Sequence, residues 1–257
     1  MKIQIFSDAH IDYPGSRGLP PLIPGVQAVL VAGDVCEGLI RSLTELREAY
    51  PKPVEIVVVA GNHEFYRSVW PDEVRNGQGA AAVLGVHFLE DEAIAIGKLR
   101  IIGATLWTDY ELFGPVLREP AMRTAYNTMS DHKRITWQKS PWLRFRPHEA
   151  RMLHQSSRAF IQAQLATAHN GPTLVLSHHA CCIEAIDPNF REDMISAAYA
   201  SDLRELVDDY QPEFWVSGHT HYSMDLQRGR TRLISNPIGY AHNNQHFDPL
   251  FTVEIDA

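Results

Sequence analysis

Five short apolar runs in this chain each end in side chains able to bind a metal or move a proton, and that coincidence restricts the possible folds more than any other feature. Residues 2–6 run into Ser7-Asp8-Ala9-His10, residues 28–32 into Gly33-Asp34, and residues 55–60 into Gly61-Asn62-His63-Glu64. Residues 173–176 lead to Ser177-His178-His179, and residues 213–216 to Ser217-Gly218-His219-Thr220-His221. Short, continuous, β-branched runs predict buried strands rather than amphipathic surface helices. In open α/β sheets ligands collect at the carboxyl ends of strands, so the five polar sets should converge. Gly33, Gly61 and Gly218 precede the polar residues, where a missing Cβ permits a tight turn and close backbone approach.

Between and after these runs the pattern alternates. Leu39, Leu43 and Leu46 stand at helical spacing and predict a helix over 39–49, stopped by Pro51. The longest helix is expected over 146–168, with Pro147 in its first turn and Asn170-Gly171 as its stop. A third is expected over 201–210, with Ser201 as N-cap, Asp202 and Glu205 near its start and Pro212 beyond it. Two further strand series are expected, one over 86–89, 94–96 and 99–103, the other over 223–226, 231–235 and 250–255. Alternating β and α segments with extra strands predict a layered α/β sandwich with two sheets.

Length and charge narrow the function classes. At 257 residues, one large domain is the expectation and no disulfide framework is needed. Of the three cysteines, Cys181 and Cys182 are adjacent, too close for an unstrained bridge, which leaves Cys36 alone. That usage fits a reducing compartment. The apolar start breaks at Ser7 and Asp8, so no signal-peptide core fits, and no run approaches a membrane span. The expectation is a soluble, cytoplasmic protein without a membrane partner. A formal net charge of -8 argues against a general nucleic-acid coat.

The donor types decide what the converging residues can hold. Carboxylates from Asp8 and Asp34, imidazoles from His10, His178, His219 and His221, and the Asn62 amide oxygen form a mixed N/O set. Such a set suits Mn, Fe, Zn, Co or Ni, and neither calcium alone nor an all-thiolate zinc site. Seven ligands exceed one mononuclear site and suffice for two divalent ions that share a carboxylate. In Asp-x-His and His-x-His, residues two apart on extended backbone point to the same side.

Taken in order, Asp8-x-His10, Gly33-Asp34, Gly61-Asn62-His63-Glu64, His178 and Gly218-His219-x-His221 resemble the five motifs of the calcineurin-like metallophosphoesterases. The likeness runs from residue 8 to residue 221, and its other features are most similar to small bacterial phosphohydrolases. It implies a four-layer α-β-β-α sandwich of two mixed β-sheets flanked by helices. It implies a binuclear centre in which Asp8, His10 and His221 hold one ion, Asn62, His178 and His219 the other, and Asp34 bridges. The implied reaction is hydrolysis of a small phosphodiester or phosphomonoester by a metal-activated water, with His63 acting on the leaving oxygen. His179 is then a pocket wall or a support for its neighbour, unless it exchanges roles with His178. Protein phosphatases of this family place an acid three residues after their Gly-Asp, followed by an arginine. Here Glu37 occupies the acid position, either to orient His63 or as a surface acid, and Gly38 replaces the arginine, which argues against a protein phosphatase.

Three features stay outside the motifs. Residues 105–146 hold Trp107, Trp137 and Trp142 and seven bases against four acids, a local +3 in an acidic chain. They are read as an insertion, either a solvated helical one packed by its own aromatics or a lid bringing basic groups to a phosphorylated substrate. Tyr66 reads either as a packing aromatic at a helix start, the commoner case, or as a lining residue; the 236–240 stretch is a candidate to border the cleft, while His242 and His246 read as surface residues. The rival functions are a nuclease acting on DNA ends or single strands, and a non-catalytic scaffold. The acidic balance and the lack of a basic stripe count against the first, and the complete ligand set against the second.

Overall fold

A computed structural model describes residues 1–241 and 243–256. Along the chain the strands and helices begin with β1 (Lys2–Phe6), β2 (Ala28–Val31), α1 (Leu39–Ala49) and β3 (Glu55–Val58). There follow α2 (Trp70–Leu84), β4 (His87–Phe88), β5 (Glu92–Ile96) and β6 (Leu99–Ala104). Next come α3 (Arg118–Thr128), α4 (Asp131–Arg134), β7 (Thr136–Lys139), β8 (Trp142–Arg144) and α5 (Pro147–Ala166). The last part holds β9 (Thr173–Ser177), α6 (Arg204–Tyr210), β10 (Phe214–Ser217), β11 (Met224–Arg228), β12 (Thr231–Ser235) and β13 (Thr252–Glu254).

Two mixed sheets result. One has the order β13-β1-β2-β3-β4, parallel except for β13; the other has the order β11-β12-β10-β9-β6-β5, with antiparallel edges at β11 and β5. Alternation along the strands explains the layering. Ile3, Ile5, Ala28, Leu30 and Val57 meet Ile101, Leu174, Leu176, Val216 and Ile234 in a core between the sheets. Phe6, Val29, Val31, Ile56 and Val58 belong instead to the larger apolar cluster that contains Leu39, Leu43 and Leu46 of α1. Both faces of the central strands are therefore apolar, which is why these runs read as continuous rather than alternating. The parallel strands of each sheet deliver their carboxyl ends to one rim. There the sheets are joined by the Ser7 amide donating to the Asn236 carbonyl (3.3 Å) and the Ile238 amide donating to Ser7 (2.9 Å).

The expected two sheets with flanking helices are present, and three local differences have physical causes. Helix α2 has no counterpart among the expected elements; Gly77, Gly79 and three alanines leave it only a weak apolar stripe, and tertiary packing supplies what periodicity lacks. The helix expected over 201–210 begins at Arg204, and Ser201 is not its N-cap. The Ser201 hydroxyl accepts the Asp109 amide instead (3.1 Å), and Asp202 takes the Arg204 guanidinium (2.7 Å). Helix α5 starts at Pro147, and its Glu149 accepts the Arg146 amide (2.9 Å) to close the first turn.

Residues 105–146 leave the sheet after β6 and form α3, α4 and the β7–β8 hairpin. The segment is tied to the loop after β3: the Arg67 amide donates to the Arg134 carbonyl (2.8 Å) and the Thr136 amide to the Ser68 carbonyl (3.0 Å). Its tryptophans divide. Trp107 is buried against Phe145 at 4.6 Å, Trp137 stacks on Trp70 at 5.5 Å, and Trp142 is 60% exposed.

Candidate metal centre

Each expected ligand sits where its strand stops, and the backbone there is forced. Asp8, His10, Asp34, His219 and His221 all adopt positive φ, between 41° and 68°, a region that costs a non-glycine residue of order 1–3 kcal/mol. Gly33, at φ 83°, could not carry a side chain, because a Cβ would lie 2.5 Å from the Gly61 nitrogen and 2.7 Å from His178 Nδ1. Glu64 pins two of these loops together. Its carboxylate accepts the amides of Asp34 (3.0 Å), Val35 (2.7 Å) and Gly61 (2.7 Å) and the Ser42 hydroxyl (3.0 Å). Burial and the neighbouring Asp34 charge push the Glu64 carboxyl up, to about 7, against these four donors.

The seven expected ligands converge. Asp8, His10 and His221 form one group of mutually close donor atoms, and Asp34, His178 and His219 another. A third group of His10, Asp34 and His63 links them. Asn62 Oδ1 lies 3.1 Å from His178 Nε2, which lies 3.1 Å from His219 Nδ1 and 3.5 Å from Asp34 Oδ2. His10 Nε2 faces His221 Nε2 at 3.0 Å.

This geometry fits metal coordination better than hydrogen bonding. Metal–nitrogen bonds of roughly 2.1 Å, at octahedral or tetrahedral angles, would hold two donors about 3.0–3.4 Å apart. Burial drives the His10 imidazole down to about 4 and His219 well below its ordinary value, so both rings are neutral and present lone pairs. Buried ring nitrogens without partners remain at His10 Nδ1 and His219 Nε2. The His178 Nδ1–H donates to the Ala32 carbonyl (2.7 Å), which aims Nε2 inward. For Asp34, burial opposes ionisation, but His178 and His63 outweigh it and hold the carboxyl well below the usual range. The same charges, from Asp34 and Asp8, raise His178 to about 9 despite its burial.

His63 lies at the edge of this cluster. Its amide donates to Asp34 Oδ1 (2.9 Å), and its Nε2 lies 3.0 Å from the Tyr240 hydroxyl. Glu37 does not reach it. The Glu37 carboxylate takes both bonds from Arg134 Nη2 (2.7 and 2.8 Å) and pairs with Arg67 at 3.4 Å. The role of orienting His63 therefore does not fall to Glu37, because two arginines across the loop compete for it. His179 also stays outside the donor groups: its Nδ1 faces the Thr105 carbonyl (3.2 Å) and its ring packs at 4.2 Å on His219.

Several site residues carry no motif. Tyr240 stacks on His10 at 4.3 Å, and Tyr66 packs at 4.4 Å on His63. Asp131, buried in the insertion, accepts Asn62 Nδ2 (2.7 Å) and the Tyr66 hydroxyl (2.7 Å), and Asn62 Nδ2 also reaches Tyr66 Oη (2.9 Å). No sequence signal marks Asp131, because its partner lies 69 residues away. The three cysteines are free and buried, and burial pushes the Cys36 thiol up to about 12, which fits an inert role. His246 is exposed as expected; His242 lies outside the described residues.

The cluster opens into a cavity of about 530 Å³. Asp34, Asn62, His63, His219 and His221 form its floor, and Thr128, Met129 and Ser130 of the insertion form one wall. The insertion therefore reaches the site, but through uncharged side chains. None of its seven bases lines the cavity; Arg118, Arg134, Lys139 and Arg146, for example, pair with carboxylates elsewhere.

A family model described as calcineurin-like phosphoesterase matches residues 1–223. The chain is 22% identical over 282 residues to the uncharacterized protein L509 of Acanthamoeba polyphaga mimivirus, covering 99% of this chain and 96% of that one. Among solved structures it is similar to the phosphopantetheinyl hydrolase of Mycobacterium tuberculosis, with a TM-score of 0.75, 19% identity, and 94% and 90% of the two chains covered. A putative 5'-nucleotidase from Staphylococcus aureus superposes with a TM-score of 0.50 and 11% identity, over 93% of this chain and 49% of that one.

Proposed function

We propose that this chain, which belongs to the calcineurin-like phosphoesterase family and is a metal-dependent phosphoric ester hydrolase, works through two divalent ions. Asp8, His10 and His221 hold the first, Asn62, His178 and His219 the second, and Asp34 bridges them. The observation that carries this reading is the overlap of the donor groups, with Asp34 shared between neighbouring sets. The N/O donors suit Mn, Fe, Zn, Co or Ni. Ions held there would polarise a phosphoryl group and acidify water.

The chain's own residues do the rest. His63, beside Asp34 and steadied by the Tyr240 hydroxyl, donates a proton to the departing ester oxygen. Glu64 fixes the loops that carry Asp34 and Asn62, and Asp131 turns the Asn62 amide so that its oxygen faces His178. Residues 105–146 act as a lid on a single domain, supported by Thr128, Met129 and Ser130 at the cavity wall. The substrate is a small phosphodiester or phosphomonoester; a cavity without lysine or arginine supports this over a nucleic acid. Among the described residues no helix is long and apolar enough to cross a membrane. The free cysteines support a reducing, cytoplasmic setting.

The test is hydrolysis of matched aryl phosphate mono- and diesters by metal-reconstituted protein and by His63→Ala. The variant should keep both ions and lose roughly 10²–10⁴-fold, most on poor leaving groups. Equal losses across leaving groups of very different pKa would remove His63 from the acid role. Fewer than two ions in the loaded native protein would refute the binuclear centre.

A further inference from the structure

The cavity above the metal centre has an uneven chemistry. Its floor consists of the proposed ligands and His63. Its outer walls carry Met129 on the insertion side and Ile186, Phe190, Ile195 and Tyr199 on the other. Two acids, Asp187 and Asp193, lie among these apolar groups. Among the described residues none of the chain's 23 lysines and arginines lines the space.

The missing cations are accounted for by their other bonds. Lys133, nearest in the chain to the insertion wall, donates to the Asn127 carbonyl (2.9 Å), and Arg134 passes over Tyr66 at 4.4 Å and is taken by Glu37. Arg191, on the opposite wall, donates to the carbonyls of Ile186 (2.9 Å) and Glu184 (3.0 Å). Arg204 is held by Asp202 and Glu184. The cations near the walls are thus taken by carboxylates and carbonyls and are not among the residues that line the cavity. Proteins that bind a second phosphate or carboxylate usually present Arg or Lys to it. Here such a group would leave water to face Asp187 and Asp193 without a counter-charge.

We infer that this cavity selects phosphoesters with a single anionic phosphoryl group and an uncharged, partly apolar organic part, and discriminates against substrates that carry a second anion. The phosphoryl group rests on the centre proposed above, and the inference depends on that reading for its position. The organic part lies along Met129, Ile186 and Ile195, in a volume within the range of small-molecule sites. Nucleoside di- and triphosphates, sugar bisphosphates and nucleic acid strands fall on the disfavoured side.

The experiment compares two diesters that share a p-nitrophenyl leaving group: p-nitrophenyl phenyl phosphate and p-nitrophenyl 4-carboxyphenyl phosphate. Hydrolysis by the manganese-loaded full chain should favour the phenyl ester in kcat/KM by roughly three- to tenfold, shrinking as salt is added. Asp193 is exposed and makes no side-chain hydrogen bond among the described residues, so Asp193→Lys should fold normally. Asp187→Asn keeps the oxygen that accepts the Asn189 amide (2.9 Å). The double variant should narrow or reverse the preference between the two esters. Equal rates for the two esters in the native protein, or an unchanged preference in the double variant, would overturn the inference. Calorimetric binding of phenylphosphonate and 4-carboxyphenylphosphonate separates the two layers of argument. A preference for the first without any ester hydrolysis would sink the hydrolase reading and keep this one; no preference would sink this one alone.

Discussion

Removal of the Asp131 carboxylate should weaken metal binding more than it weakens the fold. The Asn62 amide can present either end to the metal centre, and what fixes its orientation is where its two N–H groups go. One donates to Asp131 at 2.7 Å and the other to Tyr66 Oη at 2.9 Å, which turns Oδ1 toward His178. Tyr66 donates in turn to Asp131, so both restraints end on one carboxylate. With Asp131→Ala, two hydrogen bonds to a charged acceptor are lost, each worth about 1.5–3 kcal/mol before relaxation. The amide is then free to rotate and offer nitrogen where oxygen is needed. Loss of such a supporting partner typically costs roughly 10–100-fold in metal affinity. Chelator-competition titration with elemental analysis should show one ion per chain weakened by that factor and the other unchanged. Asp131→Asn keeps an acceptor oxygen and should recover most of the loss. Equal, native-like affinities at both ions in Asp131→Ala, together with a lowered Tm, would refute the orienting role and leave Asp131 a purely structural residue.

Two further outcomes follow from the buried charges. Glu64→Gln places an NH₂ group against backbone N–H donors and should destabilise the chain by about 2–4 kcal/mol, read from denaturant midpoints; an effect below about 0.5 kcal/mol would contradict the four-bond geometry. In metal-free protein, His178 titrates near 9, above its value in an unfolded chain, so between about 6.5 and 9 the folded state holds a proton that unfolding releases. That contribution is complete below about 6.5 and fades as the pH rises toward 9, so the Tm of chelator-treated protein should fall across this window. His178→Asn should flatten the decline, and a Tm independent of pH in the native metal-free chain would refute it.

Much of the fold was legible because its strands are apolar on both faces. Residues 2–6, 39–49 and 231–235 match β1, α1 and β12 to the residue, since burial there leaves one periodicity and clear stops. The convergence of the donor side chains was legible for a related reason: they come at fixed offsets after strand ends, so a topological rule converts sequence order into proximity. Helix α2 was not, because its many small residues blur the 3.6 period. The cap of α6 was misread because Ser201, which looks like a local capping residue, serves a contact 92 residues away.

Glu37 and Asp131 mark the boundary of such reading. Glu37 stands at a position where related enzymes keep a working acid, yet Arg134 reaches it from 97 residues on and removes it from His63. Asp131 stands in no motif, yet it takes the amide of a metal-centre residue. Both contacts originate in one segment, the insertion between β6 and α5, which brings Asp131 to Asn62 and Arg134 to Glu37. The strand ends therefore specify which atoms gather, whereas the insertion specifies which way the Asn62 amide turns and what Glu37 pairs with. Chemistry encoded at strand ends survives wide divergence of the rest of the chain, because it needs only local turns and a sheet to align them. Selectivity carried by loops is free to change with each of them, and in the reading proposed above it is Asp187 and Asp193, in the loop after β9 rather than in the insertion, that set one anion apart from two.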